Sequence, residues 1–549
     1  MVTRRLVLGS MISGVVGFRA TSRAFATDTE SFSIGLSSDA SWRAGQEGQR
    51  RADLGNGLFR NPIMAGDYPD PSVLKDGDDY YMTHSSFDAS PGLVIWHSRD
   101  LVNWAPIGSA LEKPLGTVFA VDIAKHNGRY YIYIPFMKAP WSKELADFAN
   151  IYVIHADTMA GPWSAPVDLK IGGLIDPGHV VGEDGHRYLF LSGINRVRLT
   201  DDGLATAGPV EKVYDGWHYP DDWVTEGYSL EGPKLFRRGG YFYLVSAVGG
   251  TSGPPTGHMV IVARCRSIHG PWINCPHNPI VRTRSAKEAW WSRGHATMVE
   301  GPRSTWYMIY HGYEKDFRTL GRQSLLEPIQ WTADGWPCAM GGDLSTAMPM
   351  PTGIAGGPHG IARSDDFAKP AFGTRWSFYG GAPDEARRAS FRGGMLELAA
   401  KGSTPADASP LTQMVGDHAY EISVDMEVLG EAQGGLLLFY NDRLFLGMGH
   451  DGQRMTTWRG GRASFWQEPV SASRRIRLRI VNDRNIVTFY YSLDGKSWTR
   501  HGIRSEVSGY NANTVDDLSS LRPALYAAGA GSVRFSRYRY QALPQGAAL

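Results

Sequence analysis

Gly128-Arg129-Tyr130-Tyr131-Ile132-Tyr133 and Gly240-Tyr241-Phe242-Tyr243-Leu244-Val245 are one device written twice, a turn residue followed by aromatic and aliphatic side chains. Three further copies are Asp79-Tyr80-Tyr81-Met82-Thr83, His186-Arg187-Tyr188-Leu189-Phe190-Leu191 and Ser304-Thr305-Trp306-Tyr307-Met308-Ile309. They recur at intervals of roughly 50 to 65 residues, the spacing of a repeat architecture. Several lead into a second β-rich run, as in Leu93-Val94-Ile95-Trp96-His97 and Met259-Val260-Ile261-Val262-Ala263. A Trp-ended turn closes the units: Ser98-Arg99-Asp100-Leu101-Val102-Asn103-Trp104, Met159-Ala160-Gly161-Pro162-Trp163 and Ser267-Ile268-His269-Gly270-Pro271-Trp272. Long apolar-periodic helices are hard to find between residues 60 and 345. Several strands per unit at this period predict a five-bladed β-propeller. A β-sandwich with long loops would not repeat the Trp-ended turn.

After a Pro-, Gly- and Ala-rich stretch from Pro349 to Ala362 the pattern changes. Tyr420-Glu421-Ile422-Ser423-Val424-Asp425-Met426-Glu427-Val428 and Ile476-Arg477-Leu478-Arg479-Ile480 alternate apolar with polar, the mark of strands with one wet face. Asp494-Gly495 supplies a tight turn between Tyr490-Tyr491-Ser492 and Trp498. The sequence thus predicts an all-β chain, a five-bladed β-propeller followed by a β-sandwich. The expected divisions are an export signal at 1–26, a lead-in at 27–57, the propeller at 58–348, a linker at 349–363 and the sandwich at 364–549.

Arg4 and Arg5 precede an apolar run from Leu6 to Phe18, and Ala24-Phe25-Ala26 offers small residues for cleavage. The paired arginines suggest a twin-arginine signal, with an ordinary secretory signal as the alternative; either predicts a periplasmic or secreted protein. No other apolar stretch approaches the roughly 20 residues of a spanning helix. Over 549 residues the formal net charge is +1, against a dedicated nucleic-acid binder and against strong attraction to an acidic membrane. Cys265 and Cys275 are compatible with a disulfide or with free buried thiols, and Cys338 is left over. Cys-x-x-Cys and His-Glu-x-x-His are both absent, so the common zinc signatures fail.

A propeller gathers the inner strand of each blade around one axis, so polar residues at those strand ends converge though distant in sequence. Asp70 lies in Gly66-Asp67-Tyr68-Pro69-Asp70-Pro71-Ser72-Val73, where Pro71 is expected to confine it to extended conformations. Asp122 sits among apolar neighbours in Val118-Phe119-Ala120-Val121-Asp122-Ile123-Ala124 and must find polar partners if buried. Glu231, in Tyr228-Ser229-Leu230-Glu231-Gly232-Pro233, opens directly into a blade strand and is preferred to Glu226 nearby. His295 precedes the fifth aromatic strand in Arg293-Gly294-His295-Ala296. Arg322, in Gly321-Arg322-Gln323-Ser324, needs an anion if buried, and a site carboxylate would serve. Trp141, Trp290 and Trp291 are candidate stacking platforms for a ligand, although core packing is the commoner task of a Trp.

Asn61-Pro62-Ile63, Tyr68-Pro69-Asp70-Pro71-Ser72, Glu231-Gly232-Pro233, Gly294-His295-Ala296 and Gly321-Arg322 together resemble glycoside hydrolase family 43, over residues 58 to 345. The last domain resembles the concanavalin-type sandwich of β-xylosidase-like members. The resemblance implies an inverting glycosidase that releases xylose or arabinofuranose from plant-cell-wall oligosaccharides, with no required cofactor. It implies Asp70 as general base, Glu231 as general acid and Asp122 as the acid that orients Glu231 and tunes its pKa. Arg322 would contact the sugar or the acids, and His295 would hold an ordered water or a divalent cation such as Ca2+. Asp122 departs from the family pattern, since Phe-Ala-Val-Asp stands where many relatives have a Trp-Ala-Pro-Asp-like sequence. Single displacement needs one protonated and one ionised carboxyl, roughly 6.5 to 9.5 Å apart with water between them. The expected division is a buried Glu231 held protonated beside Asp122, and an Asp70 held ionised by Arg322. In similar two-domain proteins the sandwich packs on the propeller and closes the site, which favours chain-end attack. Two rival readings are a retaining fructosidase-like propeller and a carbohydrate-binding propeller without catalysis. The fructosidase-like enzymes carry Asn-Asp-Pro and Arg-Asp-Pro segments, whereas this chain has Pro69-Asp70-Pro71 and no Arg-Asp-Pro.

Overall fold

The computed structural model describes residues 41–142, 145–352, 356–380, 382, 384–465, 472–515 and 517–544. The expected export signal and the first part of the lead-in lie outside them. Five antiparallel sheets follow one another along the chain as blades. Their inner strands are Ser72–Asp76, Asp122–His126, Gly178–Val181, Glu231–Arg238 and Trp290–Glu300. These strands touch in cyclic order, the fifth returning to the first, so the sheets form a closed ring.

The aromatic runs are the second strand of every blade, for example Asp79–Thr83, Arg129–Met137 and Trp306–Glu314. Such a strand has neighbours on both edges and packed blades on both faces, which is why its sequence is continuously apolar. From Tyr130 to Met137 no residue is exposed. Charge is confined to strand ends, as in the antiparallel pair of His126 with Arg129.

Asn61, Met64 and Tyr68 lie along the free edge of the fifth blade's third strand, Arg322–Trp331. The Ile63 N–H donates to Ser324 O at 3.0 Å and the Tyr68 N–H to Arg322 O at 3.0 Å. The Asn61 side chain accepts from Leu326 N at 2.8 Å and donates to Leu326 O at 2.9 Å. Leu58–Phe59 then pairs with Met348–Pro349. Chain segments from before the first blade and after the fifth thus close the ring. This seam brings Asp70 and Arg322 together.

The C-terminal sandwich is built on two long strands, Ala419–Asn441 and Arg522–Ala542, paired antiparallel over almost their whole length. Gly430 faces Gly531 across the pair, at φ of +69° and +127°, conformations that side chains disfavour. Fully buried Trp376, Tyr420, Leu436, Leu525 and Tyr538 fill the core between the layers. The Asp494 carboxylate caps its turn by accepting from the Lys496 and Ser497 N–H groups. A two-residue strand of the first blade, Ala89–Ser90, pairs with Phe378–Tyr379 and joins the sandwich sheet. Cys265, Cys275 and Cys338 are free thiols, so the possible Cys265–Cys275 disulfide is not formed. Burial pushes the Cys265 and Cys275 thiols up to about 12 and about 11. Among the described residues no helix is long and apolar enough to cross a membrane.

Candidate active site

Asp70 and Asp176 occupy matching places, each followed by a proline and each two residues before the inner strand of its blade. Asp70 has φ of +55° and Asp176 of +56°. The extended conformation expected for Asp70 is therefore wrong. The left-handed backbone is sparsely populated by non-glycine residues and persists when the surroundings over-determine it. Those surroundings are plain at Asp70, which is 5% exposed. The Ser85 hydroxyl donates to its Oδ2 at 2.5 Å. Its Oδ1 lies 3.2 Å from Arg322 Nη1, 3.2 Å from His295 Nδ1 and 3.0 Å from His311 Nδ1.

Burial alone would raise the Asp70 pKa, but Arg322 and then His295 outweigh it and hold the carboxyl well below its usual range. The reciprocal effect appears on His295. Burial would lower its pKa, yet Asp70, Asp176 and Glu231 leave it raised. Asp176 behaves oppositely. Desolvation is the largest influence and, with the nearby charges of Glu231 and Asp70, pushes it up to about 7 despite His295. Its Oδ2 accepts from the Gly232 N–H at 3.0 Å, next to Glu231 in the chain.

Asp122 does not take the place beside Glu231. Its Oδ1 accepts from Lys234 Nζ at 2.7 Å and Ser72 Oγ at 3.1 Å, and its Oδ2 from the His179 N–H at 2.7 Å. Lys234 donates further to Val121 O and Pro177 O. Asp122 is a fully satisfied buried anion tying the second blade to the first, third and fourth. The position flanking Glu231 belongs to Asp176, a residue the sequence reading passed over. Its signal was the second Asp-Pro pair at the head of an inner strand.

Glu231 stands at the head of the fourth inner strand with its side chain 22% exposed, and its Oε1 lies 3.3 Å from His258 Nε2. Gly232 has φ of +62°, and a Cβ there would sit 2.7 Å from the His295 ring. A Cβ on Gly294 would sit 2.4 Å from the His258 ring. Gly232 thus lets His295 press against the backbone that carries Glu231, and Gly294 lets His258 press against the backbone that carries His295. His295 itself lies in a doubly bulged stretch of the fifth inner strand and has φ of +58°. His258, His311 and His295 follow one another at ring distances of 5.2 and 6.0 Å. Histidines thus link the Asp70 carboxylate to the Glu231 carboxylate at one mouth of the ring.

Among the buried polar atoms without a hydrogen-bond partner at this mouth are Arg322 Nη2, His295 Nε2 and His258 Nδ1. Unpaired buried donors are costly and mark places where a ligand or water belongs. Phe87 lies 5.4 Å beneath the Arg322 guanidinium and meets Phe119 edge-on, an apolar floor that the sequence reading did not single out. Trp290 is buried in the propeller core. Trp291 is half-buried, donates to Ala286 O and carries Arg318 over its ring. Trp141 is half-buried with its indole against Gly380 of the sandwich segment. Glu226 is exposed and accepts from the Ser252 and Gly253 N–H groups, which makes it the brace of a loop. The neighbouring Thr251 hydroxyl lies 3.0 Å from His311 Nε2.

The model of the family described as "Glycosyl hydrolases family 43" matches residues 59–337. The chain belongs to glycosyl hydrolases family 43. A second model, the "Beta xylosidase C-terminal Concanavalin A-like domain", matches residues 364–518. A xylan 1,3-beta-xylosidase of Vibrio sp is 31% identical over 51% of this chain and 57% of its own length. A non-reducing end alpha-L-arabinofuranosidase of Bacteroides ovatus is 32% identical over 52% of this chain and 54% of its own. The chain thus matches these curated relatives over little more than half their length. The crystal structure of a family 43 protein from Bacillus licheniformis superposes with a TM-score of 0.78 at 26% identity, covering 88% of this chain and 100% of that one. A xylan beta-1,4-xylosidase from Bacillus halodurans has the same fold, with a TM-score of 0.76 at 24% identity, covering 88% of this chain and 99% of that one.

Within this family 43 chain, no group of three or more His, Cys, Asp or Glu side chains among the described residues stands together as a metal cage. A cation beside His295 would have Nε2 as its protein nitrogen, because Nδ1 is engaged by Asp70.

Proposed function

We propose that the chain is an inverting glycosidase acting on xylose- or arabinofuranose-bearing oligosaccharides, with Asp70 as general base and Glu231 as general acid. The observation that carries this reading is the contrast between the two carboxylates. Asp70 is buried among Arg322 and His295, which keep it anionic and fit to take a proton from water. Glu231 is part-exposed against His258, where a leaving oxygen can reach it. Asp176 takes the orienting part first assigned to Asp122, through its bond to the Gly232 N–H beside Glu231. Water on Asp70 attacks the anomeric carbon on one face while Glu231 protonates the departing oxygen on the other, and the configuration inverts. Arg322 Nη2 and His295 Nε2 offer their unused hydrogen-bonding capacity to sugar hydroxyls or ordered water.

Chain-end attack is favoured by the sandwich, whose Asn513 amide reaches Ser252 and Arg318 beside the Thr251 loop. A wall on that side makes a pocket out of a groove. The names of the relatives divide between xylosidase and arabinofuranosidase and point to a pentose without choosing one. The N-terminal arginines and apolar run support export.

The experiment is turnover of aryl β-xylosides and aryl α-arabinofuranosides, with product anomers followed by NMR. Asp70→Asn should lose about three orders of magnitude or more in kcat on every substrate. Glu231→Gln should lose as much on poor leaving groups and far less on activated ones, which need no protonation. Retention of anomeric configuration, or near-normal turnover by either variant, would refute the assignment.

A further inference from the structure

We propose that Arg522 of the sandwich is a positioning residue for the reaction: acting through Asp67, it fixes the segment that carries Arg322 and thereby sets the general base. This rests on the glycosidase reading above. The path is short. Arg522 Nη2 lies 2.8 Å from Asp67 Oδ2, both side chains being buried. The other oxygen of Asp67 accepts from the Arg322 N–H at 3.0 Å. Arg322 Nη1 then reaches Asp70 Oδ1 at 3.2 Å.

Both segments that meet at Asp70 are held by the sandwich. Ahead of Arg322, the Thr319 carbonyl accepts from the Leu521 N–H at 2.8 Å. The Thr319 hydroxyl donates to Asn485 Oδ1 at 2.8 Å, and Asn485 Nδ2 donates to Asp316 O at 3.1 Å. Ahead of Asp70, the Asp67 N–H points at Met414 Sδ, 3.2 Å away. Gly66, at φ of +109°, lies so close to Val415 O that a Cβ would sit 2.8 Å from it. Gly321, at φ of +75°, lies so close to the Asp67 carboxylate that a Cβ would meet it at 2.4 Å. None of these contacts is made by Asp70 or Glu231. Their common effect is to fix the backbone from which the Asp70–Arg322 pair projects, and catalysis is sensitive to displacements of about 1 Å.

The charged and titratable groups that face Asp70 include Arg322, His295, His311, His84 and Tyr313, with Asp176 as a neighbouring carboxylate. If Arg322 slackens, its share in keeping Asp70 ionised falls, and the acid limb of kcat/KM must move to higher pH. General destabilisation lowers the fraction of active enzyme without moving that limb.

The test uses the full chain and an aryl pentoside that it turns over. Arg522→Met should lower kcat about tenfold to a hundredfold, with a smaller change in KM, and shift the acid limb upward. Arg522→Lys, which keeps a cation near Asp67, should recover much of the loss. If Arg522→Met is insoluble, Asn485→Gly serves instead, because glycine accepts the φ of +70° while both hydrogen bonds are deleted. Wild-type kcat and an unmoved limb would overturn the proposal. So would a loss of activity with an unmoved limb. A wild-type chain inactive on every glycoside would instead overturn the glycosidase reading.

Discussion

Asp176→Asn separates what this carboxyl costs the fold from what it gives the site. Asp176 is 3% exposed, and desolvation with the charges of Glu231 and Asp70 pushes its pKa up to about 7 from an ordinary 3.8. The folded chain therefore binds this proton more tightly than the unfolded chain. The resulting stabilisation is complete below pH 3.8 and is lost as pH rises through about 7. At about 1.36 kcal/mol per pK unit, the whole change is ~4 kcal/mol. Asparagine has the same shape, can still accept from the Gly232 N–H and cannot ionise. Urea denaturation of both proteins between pH 4 and pH 8, followed by Trp fluorescence, should show the variant gaining ~4 kcal/mol on the parent across that interval. Its kcat/KM should nevertheless fall about a hundredfold, because the carboxyl beside Glu231 is gone. Parallel stability curves would refute the claim that this buried carboxyl takes up a proton on folding.

Lys234→Met should destabilise the chain by about 3–5 kcal/mol by leaving Asp122 buried without its cation, and Asp122→Asn in the same chain should restore much of it; equilibrium unfolding of the two variants measures both. Gly232→Ala should leave a folded protein with kcat/KM lowered about tenfold or more, since the added Cβ at φ of +62° drives into the His295 ring that holds Asp70. Circular dichroism and turnover on one sample check this.

The repeat was legible because a blade's second strand is packed on every side, so its composition reports its place without reference to distant residues. Asp70 and Glu231 were legible for a related reason, lying where a turn gives way to an inner strand. The third acid was not, because a buried carboxylate is defined by its partners. Lys234, which claims Asp122, lies in another blade, and nothing near Asp122 announces it. The apolar neighbours that made Asp122 look like a site residue describe its burial, which a structural ion pair shares. Asp176 carried a local signal in Asp176-Pro177, but no aromatic run follows it until Tyr188. His258 and His311 escaped notice because each sits at or within an apolar strand and reads as a core residue. The φ of Asp70 escaped because proline's influence on its predecessor is a preference that a cluster of charged partners overrides.

The way the ring is closed has a consequence for how the protein fails. Its last join is a run of backbone contacts and the Asn61 amide between Asn61–Tyr68 and Arg322–Leu326, and the aspartate and the arginine sit on its two lips. A fluctuation that unzips this hoop parts them while all five sheets remain whole. Loss of function on warming should then run ahead of loss of structure. The sandwich is a buckle over that join, and its grip sets how long the warmed molecule keeps working.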